Sequence, residues 1–210
     1  MMIKIKEKPP MPWYQKVFYT ISFIFLFAAF IYLGTKNFNA PIRKLTDQES
    51  FTQEFGITSD NLYVYKTAKE VLELMNTGSG IVFFAFPDNE WSHAYADILN
   101  EVSKRYGIEE IWYYNFLNDR TNDNYYYNNI VRLLEAYLPV LDTGEIDLYA
   151  PSMIMIKDGV VTMYDDETAI VSGDVTVADY WTQDVRQKKM VELGVMMESY
   201  LGDVTDAEEN

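Results

Sequence analysis

One long apolar run lies near the N-terminus, and shorter apolar segments separated by polar turns fill the rest of the chain. Val17 to Leu33 reads VFYTISFIFLFAAFIYL and holds no charged residue. A helix that spans a bilayer needs about 17–25 apolar residues. Trp13 and Tyr14 precede the run, in the position that aromatic residues take at membrane interfaces. The pattern predicts a single transmembrane helix at 17–34, after a basic segment at 1–16.

A cleaved signal peptide is the alternative interpretation of this run. The apolar part of a signal peptide is commonly about 7–15 residues long and ends at a small-residue cleavage site. The run here is longer, and Phe30 to Gly34 offers no small-x-small pattern. Four lysines precede the run, and an anchor of this kind commonly leaves its N-terminus inside the cell. We therefore expect an uncleaved signal anchor in the cell membrane, with the following domain extracytoplasmic.

Beyond the anchor, strand-like and helix-like patterns of apolar residues alternate. Thr67-Ala-Lys-Glu70 is a capping box that predicts a helix start, and Lys157-Asp158-Gly159 predicts a hairpin turn. The predicted strands are 61–65, 81–86, 110–116, 152–156 and 160–164, and the predicted helices are 67–75, 90–106, 125–138 and 177–201. Alternating strands and helices that end in a hairpin predict an α/β fold, with a central mixed sheet flanked by helices.

The same patterns divide the chain into segments. Residues 35–60 are polar and mixed, and we interpret them as a stalk with a short helix near 47–55. We expect residues 61–201 to form the folded domain, in which 118–124 is a polar turn and 165–174 a loop. Residues 202–210 form an acidic tail, which we expect to fray as chain termini do.

Charge is distributed unevenly along the chain. The net charge is -15, yet the first 44 residues hold seven Lys or Arg side chains and one acidic side chain. The remaining chain is therefore strongly acidic. Such a domain argues against binding to nucleic acid, because phosphate contacts require Lys and Arg. It favours a protein or peptide partner of basic charge.

The chain contains no cysteine. This excludes disulfide bonds, thiolate metal sites and thiol redox chemistry. No motif predicts a cofactor or a metal centre.

The stretch from Gly80 to Leu99 reads GIVFFAFPDNEWSHAYADIL, in which a buried strand meets a proline turn and then a helix. This stretch resembles the active-site segment of the thioredoxin superfamily, in which Cys-x-x-Cys begins a helix. Asn89 and Ser92 stand at the two cysteine positions, and Glu90 stands where a proline would separate them. Pro87 and Trp91 match the motif of membrane-anchored thioredoxin-like proteins of Firmicutes, some of which are called bacteriocin transport accessory proteins.

A second segment carries the same resemblance. Ala150-Pro151 precedes the apolar strand SMIMI and the Lys-Asp-Gly turn, as the cis-proline of thioredoxins precedes a strand and a hairpin. The resemblance covers about 67–201 and implies a thioredoxin-like sandwich behind the transmembrane helix. It implies a binding groove formed by Pro87, Asn89, Trp91, Ser92 and Pro151. An amide cannot attack a disulfide, and Ser92 without a base is a poor nucleophile, so we expect no redox activity.

Three other patterns are candidate sites. His93, the one histidine, lies beside Asp88, Glu90 and Ser92, but neighbouring helix residues are poorly placed to form a hydrolytic triad or a metal site. Residues 118–124 are rich in Asn and Asp, but they lack the central glycine of a calcium loop. Tyr125-Tyr126-Tyr127 concentrates aromatic side chains, which suit partner binding when exposed.

These observations leave two main hypotheses of function. The first is a redox-inactive, membrane-anchored thioredoxin-like domain that binds or positions a polypeptide at the cell envelope; the resemblance adds secretion or bacteriocin export as its context. The second is a structural subunit of a membrane assembly that uses its transmembrane helix and its aromatic surface. A hydrolase or metal enzyme around Ser92 and His93 is the third and weakest alternative, so we expect a protein that is not an enzyme.

Overall fold

The computed structural model describes residues 11–38, 44–140, 144, 146–167 and 175–208, with the backbone alone for 30–38 and 203–208. The predicted segment 1–16 therefore lies partly outside the described residues. The chain divides into two compact units, Met1–Lys44 and Leu45–Asn210.

Helix α1 belongs to the first unit and spans Trp13–Phe38. Its large apolar side chains are exposed, Trp13 at 76% and Phe25 at 74% of their surface. Among the described residues, no helix combines the length and the apolar character that crossing a membrane requires. The structure therefore gives no support to the transmembrane helix predicted at 17–34.

The second unit is a mixed α/β domain, as the alternation of strand and helix patterns predicts. Its helices are α2 (Asp47–Phe55), α3 (Ala68–Thr77), α4 (Glu90–Arg105), α5 (Leu117–Thr121), α6 (Tyr125–Leu134), α7 (Val177–Tyr180) and α8 (Gln183–Glu208). Its strands are β1 (Tyr63–Tyr65), β2 (Gly80–Phe84), β3 (Ile111–Tyr114), β4 (Ser152–Lys157) and β5 (Val160–Asp166).

The five strands form one sheet in the order β1-β3-β2-β4-β5. Strand β3 pairs in parallel with both β1 and β2. Strand β4 pairs antiparallel with β2 on one side and with β5 on the other. The register places Phe84 opposite Ser152, so the end of β2 and the start of β4 lie at the same edge of the domain.

Each face of the sheet has its own apolar core. One core joins α2, α4 and α8 to side chains such as Phe83, Tyr113 and Met155. The other joins α3 and α6 to side chains such as Phe84 and Ile154. Successive side chains of a strand point to opposite faces, so the continuous apolar runs of β2 and β4 supply both cores at once.

The segment 47–55, predicted as a short helix within a stalk, forms α2 but packs into the core. Phe51 is fully buried, with its ring 3.8 Å from that of Tyr63 and 4.2 Å from that of Phe55. A capping box at Thr46 and Glu49 begins this helix. The compact domain therefore starts at Leu45, and not at 61 as the polar composition of the segment suggested.

Other element boundaries differ from the predictions in smaller ways. The polar turn predicted at 118–124 holds the short helix α5, and β5 extends two residues beyond its predicted end at 164. The helix predicted at 177–201 is two helices, α7 and α8, and the second continues into the predicted acidic tail. Most of the predicted loop at 165–174 lies outside the described residues.

Candidate functional site

Asn89 connects the first turn of α4 to the proline segment before β4. Its side-chain oxygen accepts a hydrogen bond from the Trp91 N–H at 2.9 Å, which makes Asn89 the N-cap of α4. Its side-chain Nδ2 donates to the carbonyl oxygen of Ala150 at 2.8 Å. The Ala150–Pro151 peptide bond is cis, which is the conformation that the resemblance implied. Two of the predicted site segments, around 89 and 151, therefore meet in the fold.

The five residues predicted to form a groove differ in their exposure. Pro87, Asn89 and Trp91 are partly exposed, whereas Ser92 and Pro151 are buried. The hydroxyl of Ser92 is enclosed and has no hydrogen-bond partner among the described residues. A ligand on the surface of the folded domain can thus contact the first three, together with the partly exposed Ala150. We refer to Pro87, Asn89, Trp91 and Ala150 as the motif surface.

Trp91 is shared between the motif surface and the core. Its ring meets the ring of Tyr180 edge to face, with centroids 5.1 Å apart. Tyr180, at the end of α7, meets the buried ring of Trp181 at the same distance. Aromatic pairs in this geometry contribute about 0.5–1.5 kcal/mol beyond the area they bury. The Tyr180 ring, itself packed on Trp181, therefore holds Trp91 in a fixed orientation at the domain surface.

The His93 side chain is held in place by a backbone carbonyl and by a neighbouring aromatic ring. Its Nε2 lies 2.6 Å from the carbonyl oxygen of Pro87, and because a carbonyl only accepts, Nε2–H is the donor. The imidazole ring also contacts Phe55, with centroids 5.2 Å apart. In the described part of the chain, Ser92 and His93 form no hydrogen bond with each other, so the nucleophile and base of the hydrolase hypothesis are not paired.

Two other predicted patterns, the Asn- and Asp-rich segment and the run of three tyrosines, meet at the start of α6. Asn124, in the Asn- and Asp-rich segment, caps α6 by accepting from the N–H of Tyr126 at 2.8 Å. Tyr125 is 72% exposed, whereas Tyr127 is buried. Among the described residues, no group of three or more His, Cys, Asp or Glu side chains converges so that it could hold a metal ion.

A buried ionic cluster is linked to Trp91 through Tyr180, and the sequence patterns did not predict it. Lys189 of α8 places its ammonium 2.7 Å from a carboxylate oxygen of Glu167 and 3.0 Å from one of Asp165. The Tyr95 hydroxyl donates to Asp165 at 2.5 Å, and the Tyr180 hydroxyl donates to Glu167. The cluster therefore joins α4, α7 and α8 through the end of β5.

The charges of this cluster shift the pKa of its members. Burial alone would lower the pKa of Lys189, but the carboxylates of Asp165 and Glu167 outweigh that effect and raise it. The Lys189 side chain is 8% exposed and that of Glu167 is 3% exposed, so little water screens the pair. No local sequence signal marks Lys189 as buried, because the charged residues Arg186 and Glu192 lie one turn away on the same side of α8.

Replacement of Asn89 tests its bridging role. We expect Asn89→Ala to lower the free energy of unfolding by about 1–2 kcal/mol, because it removes an N-cap and leaves the Ala150 carbonyl without its donor. Asn89→Asp is the companion variant, since it keeps the cap acceptor and replaces the donor by a charged carboxylate oxygen, which cannot bond to the Ala150 carbonyl. Urea denaturation of the full chain measures both changes. Asn89→Ala with wild-type stability would contradict the bridge.

Comparison of the chain with protein-family models, with curated proteins and with solved structures yields no match.

Proposed function

We propose that this chain is a redox-inactive thioredoxin-like protein that binds or positions an extended polypeptide on its motif surface. The observation that carries the proposal is the bridge from Asn89 to the carbonyl of Ala150, directly before the cis-proline. The bridge brings the altered Cys-x-x-Cys position and the proline segment to one surface. Since the chain has no cysteine, that surface can offer contacts but no thiol chemistry.

The arrangement of the sheet supports the thioredoxin-like assignment. The motif turn follows the central parallel strand β2, and the cis-proline precedes its antiparallel neighbour β4. Ligands of open α/β sheets bind beyond the carboxyl ends of parallel strands, where neighbouring connections leave toward opposite faces. Helix α4 packs on one face and α6 on the other, so the ends of β2 and β3 form such a position.

The motif surface has the composition of a binding site for polypeptide. Trp91 supplies a large, partly exposed ring that Tyr180 holds in place, and aromatic side chains of this kind dominate the energetics of protein interfaces. Asp88 and Glu90 are exposed on either side of Asn89. Their charges favour a segment that carries Lys or Arg, in agreement with the acidic character of the domain.

Membrane association is a further part of the proposal. In this arrangement the segment 17–34 anchors the chain and the acidic domain lies outside the cytoplasm. The support for it is the sequence of α1 together with its exposed apolar side chains, such as Phe18 and Phe23 at 68% exposure each. A run of exposed apolar side chains commonly marks contact with lipid or with another protein.

A structural subunit of a membrane assembly is the second candidate function. The exposed aromatic and apolar side chains of α6 favour it, since Tyr125 is 72% and Leu133 is 42% exposed. In this alternative α1 and α6 form the contacts, and the motif surface has no ligand.

Substitution of Trp91 separates the two candidates. The purified full chain is tested against an array of synthetic 12-residue peptides that vary in charge and apolar content. We expect peptides that combine apolar and basic residues to bind, and Trp91→Ala to weaken that binding at least tenfold. Trp112→Ala is the matched control, because Trp112 is also partly buried but lies on β3 under Lys66. Equal binding by wild type and Trp91→Ala, or no binding, would contradict the proposal.

A further inference from the structure

The two edge strands of the sheet, β1 and β5, differ in whether side chains bond to their outward-pointing backbone N–H groups. At the β1 edge, the N–H of Tyr63 donates to the side chain of Asn61 at 3.2 Å, and the N–H of Tyr65 donates to that of Asp47 at 3.0 Å. The hydrogen bonds to β3 are made by the alternate residues, as when the N–H of Lys66 donates to Tyr113. Side chains thus satisfy the outward N–H groups of β1, and this edge is closed to another strand.

At the β5 edge, no side chain of the described residues bonds to an outward N–H group in the second half of the strand. The N–H of Glu167 donates to the carbonyl of Pro151 at 3.2 Å, toward β4. Residues of an antiparallel strand alternate in the direction of their backbone groups. Tyr164 lies opposite Ile154 and Asp166 opposite Ser152, so the N–H and C=O groups of Tyr164 and Asp166 point away from β4. The described residues give neither of these two N–H groups a partner.

Other features keep this edge suited to pairing. Strand β5 has seven residues, which is a full-length strand in globular proteins. One side chain does occupy the start of this edge: the Tyr137 hydroxyl donates to the carbonyl of Val161 at 2.9 Å, and the Tyr137 ring lies 6.1 Å from that of Tyr164. This contact takes a carbonyl oxygen and not an N–H group. No lysine or proline lies within the strand to block pairing, as such residues do at many natural edges.

We propose that the edge of β5 binds an extended polypeptide of alternating apolar and basic residues, which adds to the sheet as a sixth strand. The strand begins with the apolar residues Val160 and Val161 and ends with Asp166, whose side chain is partly exposed, so a bound segment meets apolar contacts first and a carboxylate next. A second copy of the chain is disfavoured as the occupant, because two strongly acidic domains repel each other.

Amide exchange in the full chain tests this proposal directly. The probe is an acetylated peptide of four Ile-Lys repeats, added at saturating concentration while exchange is followed residue by residue. We expect exchange to slow at least tenfold at Tyr164 and Asp166 and to stay unchanged at Tyr63 and Tyr65. Asp166→Lys should weaken binding at least fivefold, whereas Glu73→Lys, which changes the net charge equally on the exposed face of α3, should not.

A fully N-methylated peptide of the same sequence is the decisive control. It keeps the charges and side chains but has no backbone N–H to donate, so we expect it to bind at least tenfold more weakly. Equal binding of the two peptides would overturn the proposal, as would protection of Tyr164 that grows with protein concentration and without peptide. Trp91→Ala should leave this protection intact, which separates the β5 edge from the motif surface.

Discussion

Lys189→Ala is expected to lower the free energy of unfolding by about 3–5 kcal/mol. The variant leaves the carboxylates of Asp165 and Glu167 buried without their cation, and loss of one partner from a buried ion pair has about this cost. Both carboxylates are largely enclosed, with 12% and 3% of their side chains exposed. Urea denaturation of the full chain, followed by circular dichroism, measures the change.

The stability that Lys189→Ala loses should depend on pH, and its direction follows from the pKa of Asp165. Burial raises the pKa of Asp165, and Lys189 partly opposes that rise; without Lys189 the pKa rises further. A carboxyl group whose folded-state pKa is raised contributes most to stability when it is protonated, and this contribution disappears as the pH rises through that pKa. The deficit of Lys189→Ala relative to wild type should therefore narrow as the pH falls from 7 toward the ordinary carboxyl range of about 4.

Lys188→Ala is the matched control for this experiment. Its side chain is 79% exposed and lies 3.7 Å from the carboxylate of Glu192. An exposed i,i+4 ion pair contributes about 0.3–0.5 kcal/mol, so the control should change stability by no more than that. If Lys188→Ala and Lys189→Ala had the same effect, the buried cluster would not hold α8 in place.

Phe51→Ala is expected to cost about 3–5 kcal/mol of stability, as large-to-small substitutions of buried aromatic residues do. Phe51 is fully buried and stacks on both Phe55 and Tyr63. The result would establish that 45–60 is part of the folded domain and not a stalk. Tyr125→Ala, at a position that is 72% exposed, should change stability by less than about 0.5 kcal/mol.

Truncation gives an independent check on the same boundary. A chain that begins at Leu45 keeps α2 and should retain a cooperative unfolding transition. A chain that begins at Asn61 loses Phe51 and Phe55 from the core and should not. A cooperative transition in the second chain, or wild-type stability in Phe51→Ala, would contradict the assignment of α2 to the core.

Local sequence signals predicted most of the secondary structure. The capping box at Thr67 and Glu70 begins α3, with the two reciprocal hydrogen bonds of that motif. The Lys157-Asp158-Gly159 turn joins β4 to β5, with Asp158 and Gly159 at positive φ angles. Such signals act over a few residues, so a single sequence is enough to read them.

Features that depend on distant partners could not be predicted in this way. Helix α2 has a polar sequence, DQESFTQEF, in which two phenylalanines four residues apart form the whole buried face. The buried ion pairs of Lys189 with Glu167 and Asp165 join residues that lie 22 and 24 positions apart, and no spacing rule marks them, unlike its i,i+3 pair with Glu192. Likewise, the burial of Ser92 follows from the packing of α4 on the sheet and not from its neighbours in the sequence.

The central proposal is that the motif surface binds a polypeptide, and photocrosslinking of the full chain in living cells tests it most directly. A photoreactive residue at position 91 is compared with one at position 73, where the side chain of Glu73 is 66% exposed. Helix α3, which carries position 73, packs on the opposite face of the sheet from α4. Mass spectrometry identifies the crosslinked products.

The proposal predicts one dominant polypeptide partner that crosslinks from position 91 and not from position 73. Such a partner would also name the pathway in which the protein acts. Equal crosslinks from the two positions, or none above background, would contradict a binding role for the motif surface and leave the domain as a structural subunit.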